Sequence, residues 1–201
     1  KVYIEATHSK TDSVSQQIYN SRQNAITKAV AAAVPAIVSI NVVQYIEVPV
    51  STWDPFDDPF FQYFFGGRRL KPRYYEKYPV KGLGSGFIIS PDGYILTNHH
   101  VAGQASKIIV TTTDGKQYDA EIVGSDYLTD VALLKINAKN LPFLKLGNSD
   151  DVILGEWVIA LGNPFGLFDL NAKPTITVGV VSNVGVNFSY EDRLYKNMIQ
   201  T

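Results

Sequence analysis

From Gly82 to Thr201 the chain is a succession of short apolar runs separated by turn residues, and that rhythm constrains the fold more than any other feature of the sequence. The runs are Phe87–Ser90, Tyr94–Asn98, Lys107–Thr112, Gln117–Ser125, Val131–Ile136, Trp157–Leu161, Thr175–Asn183 and a last one near Lys196–Thr201, with D-G, P-D-G, L-G-N and N-P-F-G turns among them. Short strands at regular spacing, turned by Gly, Asn and Pro, make a sandwich or a barrel rather than the parallel sheet of an α/β protein. The expected class is all-β.

The first third of the chain reads differently. Within Ser13–Val34, the residues Val14, Ile18, Ala25, Ile26, Ala29, Val30 and Ala33 recur at spacings near three and four. That pattern predicts a helix, with Asp12 or Ser13 as its N-cap and an end before Pro35, because the residue preceding a proline is pushed out of the α region. The division expected is a helical segment at 1–35 and a β domain at 36–201, opened by a β-branched strand over Ala36–Val43. Ile46–Lys81 breaks all periodicity with five prolines and carries Phe56, Phe60, Phe61, Tyr63, Phe64 and Phe65. It reads as a long loop whose rings must be covered, either by the domain's own core or by a second subunit.

Charge and composition remove several classes of function. Eighteen Lys and Arg against nineteen Asp and Glu leave a net charge of -1, so nothing advertises attraction to nucleic acid or anionic lipid. No apolar run approaches the roughly 20 residues that span a bilayer, and Lys1–Lys10 lacks the apolar core of a signal peptide. The absence of cysteine excludes disulfides, thiolate metal sites and, within these residues, a cysteine nucleophile. No metal or cofactor is expected. His99 and His100 are neighbours on a strand-like run and would face opposite ways, and His8 stands far off near a terminus. Gly82–Gly86 leads into a strand with no G-K-[ST] after it, so it is no phosphate loop; its glycines suit close backbone packing or a bulge.

Two residues are the candidates for chemistry. His100 closes the run Pro91–Val101, P-D-G-Y-I-L-T-N-H-H-V, and Asp130 opens T-D-V-A-L-L-K-I thirty residues later. An imidazole titrates near neutrality, so it can take a proton from a hydroxyl nucleophile and return it to a leaving amine. A carboxylate on its other ring nitrogen fixes the tautomer and stabilises the transient imidazolium. Asp130 suits that role, with Asp126 in the G-S-D-Y turn as its competitor; a turn-capping role is the alternative for Asp130 itself. The expected geometry is a carboxylate oxygen of Asp130 within about 3.2 Å of His100 Nδ1, with His99 pointing away. G-N-P-F-G at Gly162–Gly166 is a turn by composition, and no G-x-S-x-G or G-N-S-G-G nucleophile segment is present.

Six blocks taken together resemble the HtrA (DegP/DegQ/Do-like) serine proteases: Ala25–Ile40, Gly82–Ile89, Asp92–Val101, Asp130–Ile136, Gly162–Leu167 and Val178–Ser182. The resemblance implies an exported, ATP-independent, trypsin-like endopeptidase of two β-barrels, the chymotrypsin-like arrangement, that degrades misfolded proteins in the periplasm or another extracytoplasmic space. It makes His100 the general base and Asp130 its orienting acid. The family would continue past Thr201 into D-A-A-I-N-x-G-N-S-G-G, so the nucleophile serine, the oxyanion amides, the last strands of the second barrel and any PDZ domains are expected outside these residues. By the same resemblance 46–81 is an LA-type loop contacting other subunits, Phe165–Lys173 and Asn187–Asn197 are regulatory loops, and the N-terminal helix region supports a trimer. Unfolded or misfolded proteins and peptides are the implied partners, in a homotrimer or a multiple of it. The alternatives are a chaperone-like binder without hydrolysis, or a cysteine nucleophile on the same barrels.

Overall fold

The structure is a computed structural model that describes residues 8–49, 75–163, 168, 172–190 and 192–201. Six strands close into an antiparallel barrel: β1 (Ile37–Pro49), β2 (Tyr75–Ile88), β3 (Tyr94–Thr97), β4 (Lys107–Thr112), β5 (Gln117–Asp126) and β6 (Val131–Ile136), in the order β1-β2-β3-β6-β5-β4. Alternation decides what goes inside. On β6, Ala132, Leu134 and Ile136 are buried while Val131 is exposed, and Val38, Ile40 and Val42 of β1 meet Ile108 and Val110 of β4 in the same core. Each such aliphatic side chain contributes about 1.5–3 kcal/mol by leaving water.

The long loop expected over 46–81 is shorter than that. β1 and β2 pair through thirteen residues, from Ile37↔Phe87 to Pro49↔Tyr75, so 46–49 and 75–81 are strand. Proline does not prevent this because β1 pairs with β4 only over Val38–Val43, and β2 pairs with β3 only at Phe87 and Ile88. Beyond those points, among the described residues, the hairpin is a two-stranded arm, and there Pro49 and Pro79 meet no further strand to which they would have to donate a ladder hydrogen bond. The segment 50–74, with Phe56, Phe60, Phe61, Phe64 and Phe65, lies outside the described residues.

The helical segment is also corrected. It forms two helices, α1 (His8–Ser21) and α2 (Ala25–Ala33), rather than one. Asn24 breaks the run: its backbone is extended, its side chain accepts the Thr27 N–H at 2.9 Å, and its own N–H donates to Thr27 Oγ1 at 2.9 Å. Such a reciprocal cap starts a new helix. A single 3₁₀ turn, Val34–Ala36, absorbs Pro35 before β1. Among the described residues no helix is long and apolar enough to cross a membrane.

After the barrel come two antiparallel ribbons, β7 (Trp157–Gly162) with β8 (Thr175–Val180), and β9 (Asn183–Tyr190) with β10 (Arg193–Gln200). The run expected at Thr175–Asn183 therefore ends at Val180. Much of Asn187–Asn197, expected as a loop, is the body of the second hairpin. Val184, Val186, Phe188 and Tyr190 alternate with Asn183, Gly185, Asn187 and Ser189, which is a strand pattern. Asn163 joins the first ribbon to the barrel: its Nδ2 donates to Ser39 Oγ at 3.0 Å on β1, and its N–H to Ser85 Oγ at 2.9 Å on β2. Its Oδ1 accepts the Phe168 N–H at 2.9 Å, and Phe168 is fully buried.

Candidate active site

His100 does not close a strand. It sits in α3 (His99–Ala102), one helical turn following β3. The turn forms because the carbonyl of Asn98 accepts the N–H groups of Val101 and Ala102, and because its apolar residues find the barrel: Ala102 is fully buried, and Val101 occupies the space that a Cβ on Gly84 would need. The Gly-rich stretch is thus the middle of β2, left bare so that the turn can lie on it. Adjacent residues on a helical turn project about 100° apart. His99 turns its Nδ1 to Ser125 Oγ and its ring edge-on to Tyr127, at 5.4 Å between centroids. His100 turns to Asp130.

Asp130 is 2% exposed and has φ 57, a left-handed conformation that Asp tolerates better than most residues. Its Oδ1 accepts the His100 backbone N–H at 2.9 Å, and its Oδ2 accepts from His100 Nδ1 at 2.7 Å, inside the limit expected. Its carbonyl accepts the His99 N–H at 3.2 Å and the Asn98 side-chain amide at 3.1 Å. One residue therefore fixes both the backbone and the ring of His100. Asp126 instead caps the turn, accepting the Leu128 N–H at 2.9 Å and the Thr129 hydroxyl at 2.7 Å.

Electrostatics agree with the geometry. Burial pushes the Asp130 carboxyl up, but the hydrogen bonds from the His100 ring and backbone, with the charges of His100 and Arg193, outweigh it and hold the carboxyl below its usual range. It is a carboxylate at neutral pH, and an ionised carboxylate only accepts, so Nδ1 of His100 carries the proton. The lone pair of the neutral ring is then on Nε2. The His100 side chain is 52% exposed, on a cleft lined by Gln44, His99, Gln104, Tyr127 and Arg193. Among the described residues no group of three His, Cys, Asp or Glu could hold a metal.

Sequence reasoning missed Asn163, Arg193 and Tyr195. Asn163 carried one signal, an amide ending the apolar run of β7. Arg193 and Tyr195 carried only the strand alternation of the hairpin.

The model of the trypsin-like peptidase domain matches residues 84–201. The probable periplasmic serine endoprotease DegP-like of Chlamydia muridarum is 52% identical over 137 residues, covering 67% of this chain and 26% of the relative. Its counterpart in Halomonas elongata is 39% identical over 190 residues, covering 87% of this chain and 38% of the relative. This chain thus spans well under half the length of these curated relatives. Among solved structures, the HtrA-type protease AlgW with decapeptide superposes with a TM-score of 0.63 at 36% identity, covering 88% of this chain and 51% of that one. AlgW with tripeptide gives 0.64 at 33% identity, covering 88% and 46%. The barrel and its continuation are therefore a chymotrypsin-like fold, and the chain belongs to the trypsin-like peptidase domain family, with DegP-like and HtrA-type proteases as its relatives.

Proposed function

We propose that this chain carries the general base and its orienting acid for a DegP-like serine endopeptidase that cuts unfolded or misfolded proteins outside the cytoplasm without ATP. The observation that carries this reading is the 2.7 Å bond from His100 Nδ1 to a buried Asp130, with the ring left half-exposed on a cleft. In this mechanism Nε2 of His100 takes the proton of a serine hydroxyl as the oxygen attacks the scissile carbonyl. Asp130 stabilises the imidazolium without itself being protonated, and the same nitrogen then protonates the leaving amine. Water repeats the sequence on the acyl-enzyme. The serine and the oxyanion donors are assigned to the remainder of a longer protein, in keeping with relatives of which this chain covers 26% and 38%.

The same reading makes 1–35 a helical segment, 36–201 a protease domain and 46–81 an LA-type insertion, in a homotrimer or a multiple of it. Exposed apolar residues on α1, Val14, Ile18 and Tyr19, favour an assembly. The periplasmic setting is that of the named relatives. The test is degradation of unfolded casein by the full-length protein without ATP, beside a His100→Ala variant. Fragmentation that stops in the variant supports the assignment, and fragmentation at an equal rate refutes it.

A further inference from the structure

The oxygen of Asp130 that accepts from His100 Nδ1 also faces two side chains that come from outside the barrel. Tyr195 places its hydroxyl 3.4 Å from Oδ2, and Arg193 places Nη1 3.8 Å from it. The first is a long hydrogen bond, and the second is an ion pair without a hydrogen bond. Both residues stand on β10, two apart and therefore on one face of the strand. That face is laid against the turn preceding Asp130 by a backbone bond, Leu194 N–H to the Leu128 carbonyl at 2.8 Å.

Each side chain is also held from behind. Tyr195 stacks on Phe188 of β9, with 4.8 Å between ring centroids, and the Arg193 guanidinium lies 5.4 Å from the centroid of Tyr127. The Arg193 side chain is only 16% exposed, and its Nε is buried with no hydrogen-bond partner among the described residues. The guanidinium is held by Tyr195 and faces, at 3.8 Å, the buried anion Asp130. Among the described residues, the titratable or charged groups around the His100–Asp130 pair are His99 on α3, Tyr127 before β6, and Arg193 and Tyr195 on β10. Arg193 alone among them is permanently cationic.

The geometry points to Arg193, with Tyr195 beside it, as a positioning residue for the His100–Asp130 pair: β10 fixes the carboxylate that fixes the imidazole. This rests on the reading of His100 and Asp130 as base and orienting acid. Arg193 donates no proton to the reaction. It holds Oδ2 in place and keeps it charged, so the Nδ1–H bond survives each passage through imidazolium. The site is therefore assembled from both halves of the chain, although both members of the pair sit on the first.

The test uses the full-length protein with Arg193→Gln, Arg193→Lys, Tyr195→Phe and His100→Ala, assayed on a fluorogenic peptide that the wild type cuts. The His100 Nδ1–H proton resonance is followed alongside, identified by its loss in His100→Ala. Arg193→Gln is expected to lower kcat about three- to tenfold, with KM within about twofold, and to broaden that resonance by exposing the proton to exchange. Arg193→Lys should recover most of the kcat and the sharp resonance, and Tyr195→Phe should lose less than about threefold. A wild-type kcat with a sharp resonance in Arg193→Gln overturns the inference, as does a loss that Arg193→Lys shares in full together with a lowered melting temperature, which marks plain structural support. If His100→Ala remains active, the base assignment itself fails. If His100→Ala is inactive and Arg193→Gln is unaffected, only the positioning role fails.

Discussion

The barrel and the two ribbons that follow it are made of the same kind of segment, short alternating strands, yet they end in different states. In the barrel Val38, Ile40, Val110, Leu134 and Ile136 are each 0% exposed. In the ribbons Trp157 is 66% exposed, and Val178 and Phe188 are each 49% exposed. Alternation decides which residues share a face, but only closure of a sheet buries that face, and a two-stranded ribbon is marginal by itself. Polar contacts that tie the ribbons to the barrel include Asn163 with Ser39 and Ser85, and Leu194 with Leu128. The pair proposed for chemistry follows this division: His100 and Asp130 stand on the barrel side, and among the described residues β10 is the ribbon strand that brings side chains to Asp130.

If the barrel side carries the chemistry, the largest effect comes from Asp130. Asp130→Asn keeps a residue that tolerates the left-handed backbone but removes the charge and the tautomer control, and kcat of the full-length protein on a peptide should fall about 10⁴-fold. An unfolded-protein control by circular dichroism should show no change. A fall of less than tenfold would mean that Asp130 does not orient the base. Next comes the core. Leu134→Ala should cost about 2–5 kcal/mol in denaturant unfolding, whereas Val178→Ala on the exposed ribbon should cost no more than about 0.5 kcal/mol; equal losses would mean that the ribbons are buried in solution.

Between these lies the joint. Asn163→Ala leaves the buried Phe168 N–H without the amide oxygen it donates to and removes the hydrogen bond to Ser39 Oγ, and should cost about 1–3 kcal/mol. Hydrogen exchange should quicken in β7 and β8 more than in the barrel. The smallest effect concerns Asp114 in the β4–β5 turn. Its carboxyl is held down to about 2, chiefly by the hydrogen bond from Lys116 and then by that from Thr112. Because the folded value lies below the unfolded one of about 3.9, its stabilisation is present above that pH and is lost as pH falls through about 2. Asp114→Asn should thus be slightly less stable than the wild type at pH 7, by no more than about 1 kcal/mol for so exposed a pair, and equal to it below about pH 2.

The legible part of the fold was the part where one sheet face is buried. β4 and β6 lie where the apolar runs placed them, since alternation against a closed core leaves no choice of register. The strand arm at 44–49 and 75–80 was not legible because its prolines read as loop; they are tolerated there because, among the described residues, no further strand pairs with the arm. The helix break needed Asn24 to be read as a cap, but the apolar spacing carries across it. For the candidate site, the side-chain types and their order pointed to His100 and Asp130, which lie 2.7 Å apart through Nδ1 and Oδ2. The helical turn that carries His100 was hidden because Val101 and Ala102 continue an apolar run that a strand would also show. Arg193 and Tyr195 were out of reach because their role depends on β10 docking against Leu128, a contact across 66 residues of chain, Leu194 to Leu128, that no local pattern encodes.

The central claim, that His100 is the base for a serine nucleophile, is tested most directly by covalent labelling of the full-length protein with a fluorophosphonate, which reacts only with an activated hydroxyl. One adduct on one serine is expected, at a rate that falls about 10³-fold or more in His100→Ala while the fold is retained. Labelling of His100→Ala at the wild-type rate, or rapid casein cleavage by a wild type that takes up no label, would contradict it.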